Sequence, residues 1–483
     1  MNITSLKKWL HKYPEDIPQL FLIGGTVRDM LLNLPPKDID LTCKGARDIA
    51  YNLANYRNAS IVPMEKKPHT PCYRIVDRAD SRNYIDIAEM RGETIYDDLM
   101  QRDFTINAIA MEVNRDGSRA EMVDPLNGSQ DIRHNIIKSV RHDAFISDPL
   151  RILRALRFSA VLNFDIEPST LDQIKEFVDL LKTVSGERIF SELLLILGTA
   201  NSALFINQMD QLGILDVIFP ETSAMKGCTQ NAFHHKDVWG HSLLTMANCE
   251  DILNDAALTK DKENPLSLRE RERVRVGLWD EVAANIARDN RLPLTKLAAL
   301  LHDVGKPACR QVNSDTGRIT FYGHDEKGAE LMDEIAERLR MSNRDRDFLK
   351  LLIADHLHVL SLAKHGVKPA TKMRWFRKMK DDAVPSIIVA MADVKSTLGP
   401  DSSKEELENF LRWSKEAIKD YYEVIKKRLE RRELITGRDL IALGMEPGPE
   451  MGRILEQIRS AQDTGEVNSS EEALALAREL LSE

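Results

Sequence analysis

The sequence predicts an α+β protein, in which a small mixed head is followed by a region that is almost entirely helical. Residues 1–140 contain short apolar, β-branched segments separated by Gly, Pro and Asn, the pattern of a small α/β or α+β domain. From about Asp148 onward, apolar residues recur at three- and four-residue spacing, which predicts amphipathic helices. We expect four segments: a head at 1–140, a helical neck at 141–225, a helical body at 228–400 and a helical tail at 401–483.

The composition excludes several classes of protein. A chain of 483 residues that is 43% hydrophobic and 30% charged is neither collagen-like nor disordered. It has no run near the ~20 apolar residues that span a bilayer, and its first residues lack the apolar stretch of a signal peptide. We therefore expect no membrane partner and a cytoplasmic location. The five cysteines are scattered without a CxxC pair, so neither a disulfide framework nor a thiolate zinc site is indicated.

The most specific motif of the chain lies at residues 23–41, IGGTVRDMLLNLPPKDIDL. Gly24 and Gly25 follow an apolar strand and precede a helix-like segment, so their backbone amides can approach phosphate oxygens. Arg28 follows one helical turn later, where its guanidinium can contact the same phosphates. This part of the motif predicts a phosphate-binding turn.

Two carboxylates end the same motif. Asp38 and Asp40 alternate with apolar residues at strand period, which directs both carboxylates to one face. Paired carboxylates chelate hard divalent cations, and such cations promote in-line displacement at a triphosphate. Asp86, in the short strand YIDIA, is a third acidic candidate. A lone DxD is more often a solvated strand end, but here it occurs together with the glycine turn and Arg28.

The combination of GGTVRD and KDIDL resembles the signature of class II nucleotidyltransferases, the group of tRNA CCA-adding enzymes and bacterial poly(A) polymerases. The resemblance implies a polymerase-β-like nucleotidyltransferase head with a mixed sheet, and helices after it. It implies Mg²⁺ at Asp38 and Asp40, with Asp86 as a further catalytic residue. It also implies tRNA as the partner, CTP as substrate and ATP as a second candidate substrate.

The resemblance continues in order along the chain. Residues 98–108, DLMQRDFTINA, are similar to the family segment DLxRRDFTINA, with Gln101 in place of the first Arg. In the family this segment contacts the ribose and phosphates of the incoming nucleotide. The resemblance therefore assigns Arg102, Asp103 and Asn107 to the nucleotide, together with Gly24, Gly25 and Arg28.

Residues 147–151, SDPLR, lie where the family has EDxxR, the side chains that select CTP or ATP. A carboxylate can accept from an exocyclic amine while a guanidinium donates to ring acceptors, which favours C and A over U and G. The candidates are Asp148 and Arg151, with Arg154 one turn further along, whereas Ser147 departs from the family Glu. The alternative is that Asp148 caps the following helix and Arg151 forms an ordinary surface ion pair.

A short connection between Asp86 and Arg102 bears on which nucleotides are added. Complete CCA-adding enzymes of the family carry a longer flexible loop here, and CC-adding enzymes a shortened one. The short segment EMRGETIYD therefore favours a CC-adding enzyme. A poly(A) polymerase ranks lower, because members of that branch usually carry a basic tail, whereas residues 401–483 are net acidic.

A second constellation of His and Asp residues lies in the predicted body. Imidazole and carboxylate are ligands for first-row divalent metals. The spacing resembles the H…HD…D signature of the HD superfamily of metal-dependent phosphohydrolases, which implies a divalent first-row metal or Mg²⁺ as cofactor. The matching residues are His241, His302, Asp303 and Asp393, with His324 and His356 as candidates for a second metal.

The substrate of such a site is left open by the sequence. A phosphomonoester or 2′,3′-cyclic phosphate at an RNA 3′ end would fit a chain whose other site needs a free 3′ hydroxyl. The alternatives are a body that only binds RNA, and an HD phosphohydrolase whose head is a degenerate binding module.

Two further stretches of the helical region stand out by charge. The polar stretch 259–274 predicts a loop or linker. Residues 364–380 carry seven basic residues and no acid in a chain of net charge −9, and so offer a phosphate-facing surface. An equally good interpretation of this run is a solvated helix face with Trp375 and Phe376 buried beneath it.

Overall fold

The structure is a computed structural model of the chain. The residues that it describes are Leu6, Trp9, Leu10, 19–36, 38–64, 71–114, 119–231, 234–262, 278–397, 399 and 402–482.

The chain forms two compact units. The first consists of Met1–Leu193 and Met209–Ile218, and the second of Leu194–Gln208 and Phe219–Glu483. This division is coarser than the four predicted segments, whose bounds stay a prediction. Within the described residues, no helix is both long enough and apolar enough to cross a membrane.

The elements up to residue 218 alternate between strands and helices at first and then become mainly helical. They are β1 (Leu20–Ile23), α1 (Gly25–Leu31), β2 (Asp40–Cys43), α2 (Ala46–Arg57), β3 (Ser60–Pro63), β4 (Cys72–Val76), β5 (Tyr84–Glu89), α3 (Ile95–Met100), β6 (Ala110–Val113), β7 (Arg119–Val123), α4 (Gly128–His134), β8 (Ile136–Ile137), α5 (Ala144–Ser147), α6 (Arg151–Leu162), β9 (Asp165–Ile166), α7 (Pro168–Phe177), α8 (Gly186–Leu197), α9 (Ser202–Gln211) and α10 (Ile214–Ile218), with 3₁₀ turns at Thr105–Asn107 and Val178–Thr183.

The first seven strands form one sheet in the order β3-β4-β5-β2-β1-β6-β7. Strands β2 and β5 run parallel and their neighbours pair antiparallel, so the predicted mixed sheet is confirmed. The short apolar segments FLIGG, IDLTC, YRIVD, NYIDIA and AIAMEV contribute to β1, β2, β4, β5 and β6 respectively. The sequence did not indicate β3 and β7, nor the two-residue strands β8 and β9 that pair with each other inside the helical region.

The turn between β1 and α1 is tied to the start of β2 by one buried side chain. Thr26 donates from its hydroxyl to the Asp38 carbonyl at 3.1 Å and accepts from the Asp40 amide at 2.8 Å. Beneath the turn, Phe21 and Ile23 of β1 pack with Leu99 of α3 in an apolar cluster. The glycine turn and the DxD segment therefore lie side by side at one end of the two central strands β1 and β2.

The remaining elements are almost all helices, as the periodicity predicts. They are α11 (Val238–Lys262), α12 (Leu278–Ile286), α13 (Arg291–Leu301), α14 (Lys306–Cys309), β10 (Gln311–Val312), β11 (Ile319–Thr320), α15 (His324–Arg338), α16 (Asn343–Leu362), α17 (Pro369–Met379), α18 (Ala383–Ser396), α19 (Lys404–Asp420), α20 (Lys426–Leu429), α21 (Gly437–Ala442), α22 (Pro449–Thr464) and α23 (Ser470–Ser482), with 3₁₀ turns at Pro220–Ala224 and Lys380–Asp382 and a π-helical turn at Tyr421–Ile425.

One predicted loop begins later than expected. Helix α11 continues to Lys262, so the first four residues of the polar stretch 259–274 are helical. The rest of that stretch lies outside the described residues. Strands β10 and β11 form an antiparallel hairpin between α14 and α15 that the sequence did not indicate.

Candidate functional site

The head brings the predicted phosphate-binding residues together. Gly24 has φ of 62°, a left-handed conformation that favours glycine, and a Cβ built on it would lie 3.1 Å from Nη1 of Arg102. Arg28 donates from Nη1 to Oδ1 of Asn107 at 3.0 Å. The glycine turn, Arg28, Arg102 and Asn107 thus converge, although they are separated by about eighty residues of chain.

The buried carboxylate of Asp103 organises this group. Its Oδ1 accepts from Nδ2 of Asn107 at 3.0 Å, and its Oδ2 accepts from Nε and Nη2 of Arg154 at 3.0 and 2.7 Å. Burial by itself would raise the pKa of Asp103, but the Arg154 guanidinium and the Asn107 amide outweigh it and lower the pKa overall. Because protein donors use both oxygens, Asp103 positions the nucleotide residues in this structure, and its predicted contact with nucleotide stays a prediction.

Arg151 has a different environment from the one the sequence suggested. It is 9% exposed, and its guanidinium donates to the carbonyls of Gln101 at 2.8 Å, Arg102 at 3.1 Å and Ala144 at 3.2 Å. The alternative of an ordinary surface ion pair is therefore wrong. Arg151 fixes the backbone that carries Arg102.

Asp148 is paired with another arginine. Both of its oxygens accept from Nη2 of Arg188, at 3.1 and 2.9 Å. Its Oδ1 also accepts from the Leu150 amide at 3.3 Å, a local bond at the start of α6 of the kind that the capping alternative predicts. Base selection by Asp148 and Arg151 stays a prediction.

Sequence reasoning missed Arg157 and its partners. Arg157 lies one turn beyond Arg154, with Nε 3.0 Å from Oε2 of buried Glu192. The ring of Phe158 lies near three guanidinium carbons, 4.2 Å from that of Arg157 and 5.2 Å from those of Arg154 and Arg28. The three-residue spacing of arginine in RILRALRF was the available signal.

The three candidate catalytic carboxylates lie at adjacent strands. Asp40 begins β2 and is the register partner of Asp86 on the parallel strand β5, whereas Asp38 precedes the strand by two residues. Two Arg74 nitrogens donate to the two oxygens of Asp86, each at 2.8 Å. The Tyr84 hydroxyl donates to Asp38, and this bond raises the pKa of Tyr84.

This carboxylate group offers the oxygen ligands that Mg²⁺ prefers. Arg74 already places a positive charge against one of its members, and the bond to Asp86 raises the pKa of Arg74. The chemistry of the donors fits a divalent cation at Asp38 and Asp40, with Asp86 compensated by Arg74. Arg74 could not be found from the sequence, because only the antiparallel register between β4 and β5 places it opposite Asp86.

The body brings all six predicted HD residues together. They form two groups, and within each group the ligand atoms lie within 4.8 Å of one another. One group is His241, His302 and Asp393, and the other is Asp303, His324 and His356. All six side chains are buried. Nε2 of His302 lies 3.1 Å from Oδ2 of Asp303, so the two groups are adjacent.

Backbone carbonyls orient three of these imidazoles. Nδ1 of His302, His324 and His356 lies 2.9, 2.7 and 2.6 Å from the carbonyl oxygen three residues earlier in each case. With the proton on Nδ1, each Nε2 faces the carboxylates as a ligand atom. Nε2 of His302 and Nε2 of His324 are buried and form no well-aligned hydrogen bond, although oxygens of Asp303 lie 3.1 and 3.3 Å away, which fits a metal ion shared with that carboxylate.

Close backbone packing and a lysine complete the centre. A Cβ built on Gly305 would lie 2.1 Å from the His324 carbonyl oxygen, so only glycine allows Asp303 and His324 to approach. Nζ of Lys306 lies 2.7 Å from Oδ2 of Asp303 and donates to Oε1 of Gln230 at 2.7 Å. Burial and the nearby Lys306 lower the pKa of His234 to about 3, so this ring, which packs on His241, is neutral.

The basic run forms helix α17, and its aromatic residues face inward. Trp375 and Phe376 are each 3% exposed, and Nε1 of Trp375 donates to Oδ2 of Asp355 at 2.7 Å. Arg377 pairs with Asp463 of α22. Both aromatic residues are therefore buried, as the second interpretation predicts, whereas a phosphate-facing role of the basic residues stays a prediction.

Family comparisons cover most of the chain. Residues 20–138 match the Poly A polymerase head domain, and residues 163–226 match a family described as a probable RNA and SrmB-binding site of polymerase A. Residues 238–398 match the HD domain, and residues 355–477 match a putative second domain of tRNA nucleotidyltransferases.

Curated relatives align with nearly the whole chain. The chain is 30% identical over 475 residues to the A-adding tRNA nucleotidyltransferase of Deinococcus radiodurans, with 95% of each chain covered. It is 27% identical over 464 residues to the CC-adding tRNA nucleotidyltransferase of Thermus thermophilus, covering 94% of this chain and 92% of the relative. In fold it is similar to the Thermotoga maritima CCA-adding enzyme complexed with tRNA, with a TM-score of 0.63, 22% identity, and 99% and 95% of the two chains covered.

The Asp103–Arg154 pair predicts a pH-dependent stability. In the wild type, the pKa of Asp103 is lower in the folded chain than the value of ~3.9 expected in the unfolded chain. The ionised carboxylate therefore stabilises the folded chain at pH values above ~3.9, and this stability is lost only as the pH falls below that value. Arg154→Met leaves a buried carboxylate unpaired, so we expect a loss of about 3 kcal/mol at pH 7. Burial then raises the pKa of Asp103 in the variant, and the loss shrinks as the pH falls from 7 to 5.

Differential scanning calorimetry of the full chain at both pH values measures this loss. Arg82→Met is the matched control, because Arg82 forms an exposed pair with Asp80, and we expect no change from it. An equal loss from Arg154→Met at pH 7 and pH 5 would assign the effect to packing rather than to charge.

Proposed function

The chain belongs to the tRNA nucleotidyltransferase family, and on that premise we propose that it adds two cytidines to tRNA 3′ ends from CTP, with release of pyrophosphate. It is therefore an enzyme, and the interpretation of the head as a degenerate binding module is set aside. Because its relatives act on bacterial tRNA, we place its activity in the cytoplasm.

One observation carries the transferase proposal: the glycine turn, Arg28 and Arg102 converge beside the carboxylates. Thr26 couples the turn directly to Asp38 and Asp40, so a triphosphate held by the turn lies next to the candidate metal ligands. Guanidinium groups and backbone amides are the donors that bind phosphate oxygens. The arrangement fits binding of a nucleoside triphosphate at the end of the central strands β1 and β2.

The chemistry then divides among these groups. A Mg²⁺ ion held by Asp38 and Asp40 would neutralise triphosphate charge and activate the terminal 3′ hydroxyl of the tRNA. Arg28 and Arg102 bind the phosphates that leave as pyrophosphate. Arg74 holds Asp86 in place and offsets the repulsion among the carboxylates.

We assign base selection to Asp148, with Arg151 as its supporting residue. The Asp148 carboxylate can accept from the exocyclic amine shared by cytosine and adenine. Arg188 orients that carboxylate through the contacts to both of its oxygens. Arg151 acts through the backbone of residues 101 and 102, whose carbonyls it binds.

The connection between β5 and α3 supports addition of C rather than A. It comprises only Met90 to Thr94, and the amides of Glu93 and Thr94 both donate to Oδ2 of Asp97, at 3.0 and 2.8 Å. A Cβ built on Gly92 would lie 2.4 Å from Cβ of Asp97, so the turn is closed tightly. A connection this short cannot reshape the site for a larger base.

We further propose that the body is a metal-dependent phosphohydrolase that removes a phosphate or opens a 2′,3′-cyclic phosphate at an RNA 3′ end. The two buried His and Asp groups support this, with a divalent first-row metal or Mg²⁺ as cofactor. Hydrolysis of a 3′-phosphate, or opening of the cyclic phosphate at the P–O3′ bond to leave a 2′-phosphate, would give the free 3′ hydroxyl that the head requires.

Product length on a tRNA transcript that ends before CCA tests the transferase proposal. With CTP, or with CTP and ATP together, we expect extension by two residues, and with ATP alone we expect none. Asp40→Asn should reduce extension by several orders of magnitude, because it removes a metal ligand, while tRNA affinity stays near wild type.

Gel electrophoresis at single-nucleotide resolution distinguishes the other outcomes. Addition of one A to transcripts that end in CC would make the enzyme A-adding. Three residues from CTP and ATP would make it CCA-adding, and a long A ladder would make it a poly(A) polymerase. Near-normal extension by Asp40→Asn would remove the assignment of the carboxylates.

His302→Ala tests the second activity. We expect it to abolish hydrolysis of adenosine 2′,3′-cyclic phosphate and 3′-phosphate by the metal-loaded protein, with nucleotide addition largely unchanged. His365→Ala, which alters an exposed histidine of the same unit, should change neither reaction. A wild-type protein inert toward both phosphoesters with Mn²⁺, Ni²⁺, Co²⁺ and Mg²⁺ would make the body structural.

A further inference from the structure

We propose that a cleft beside the HD centre binds the nucleobase and phosphate of the terminal nucleotide, with Tyr322 as a stacking surface and Arg318 as a phosphate ligand. This inference rests on the proposed phosphohydrolase function and defines its substrate as nucleotide rather than as any phosphoester.

The cleft opens onto the HD centre. Its volume is about 320 Å³, within the range of small-ligand sites. Its lining includes His324, which belongs to one of the two ligand groups, and Lys306, whose Nζ lies 2.7 Å from Asp303. A ligand in the cleft therefore lies against the side chains that would carry out hydrolysis.

The charge of the cleft favours an anion. Lys306 and Arg318 both line it, and no acidic residue does so within the described part of the chain. Arg318 follows the turn of the β10–β11 hairpin, where Oδ1 of Asn313 accepts from the Thr316 amide at 2.9 Å. The hairpin thus holds the guanidinium on an ordered support, and guanidinium is a strong phosphate ligand.

The segment between the hairpin and α15 presents one aromatic ring inward and the next outward. Phe321 is 8% exposed, and its ring centroid lies 5.4 Å from Nζ of Lys306. Tyr322 is 78% exposed and also lines the cleft. Gly323, with φ of 76°, then leads directly into His324. The exposed ring therefore lies two residues along the chain from a metal-ligand candidate.

These features together select a nucleotide. An exposed aromatic ring can stack on any base, because every base has a π-face. Inorganic phosphate or a sugar phosphate would use Arg318 and Lys306 but would leave Tyr322 without a role. The apolar side chain of Leu357 lines the same cleft and can contact a base as well.

The test compares phosphoesters with and without a base on the metal-loaded full chain. One pair is adenosine 2′,3′-cyclic phosphate and glycerol 1,2-cyclic phosphate, and the other is adenosine 3′-phosphate and glycerol 2-phosphate. We expect Tyr322→Ala to raise KM for the adenosine compounds at least fivefold, with kcat and both glycerol substrates nearly unchanged. Tyr322→Phe should restore the wild-type KM, because stacking needs only the ring.

A binding measurement adds a readout that does not depend on hydrolysis. By calorimetry on protein treated with a chelator, Tyr322→Ala should weaken binding of adenosine 3′-phosphate by a similar factor. Val312→Ala is the control, since Val312 is exposed on the same hairpin and should change nothing.

The outcomes separate this inference from the function on which it rests. An unchanged KM for the adenosine compounds in Tyr322→Ala, or an equal rise for the glycerol compounds, would overturn the stacking surface while hydrolysis itself remained. A wild-type protein inert toward all four compounds with every metal would remove the phosphohydrolase function and the stacking surface with it.

Discussion

The buried carboxylate of Asp103 is the group on which the nucleotide site depends. A charge that is 8% exposed must be compensated, and here Arg154 and Asn107 supply the compensation. Asn107 in turn accepts from Arg28, so the position of the guanidinium proposed to bind phosphate is set through the same carboxylate. Arg151 fixes the adjoining backbone. Removal of one charge would therefore disturb residues that do not touch it.

Buried charges also compensate one another in the HD centre, but there the carboxylates act on a histidine. Burial alone would lower the pKa of His302, but the carboxylates of Asp303 and Asp393 outweigh it and raise the pKa to about 10. The cluster therefore attracts positive charge, as a metal-ligand group should. Lys306 supplies one such charge at Asp303 and also faces the adjoining cleft. Lys306 thus contacts both a candidate metal ligand and the proposed substrate cleft.

Much of this arrangement could be predicted from the sequence, because the type and spacing of the motif residues indicate which ligands they can bind. The glycine turn and the DxD carboxylates lie together in the head, and the six candidate HD ligands lie together in the body, as expected. The partners that compensate them could not be predicted. Arg74 faces Asp86 only because of the register between β4 and β5, and register depends on the whole sheet. Likewise, the spacing of Arg151 does not reveal that backbone carbonyls are its acceptors.

The claim that one charge pair organises the head is tested most directly by a double-mutant cycle in nucleotide addition. The variants are Asp103→Asn, Arg154→Met and the double variant, and the measured quantity is kcat/KM for CTP on a tRNA lacking CCA. Because each single change already breaks the pair, we expect the double variant to lose about as much as the worse single variant. Losses that multiply independently would contradict the account.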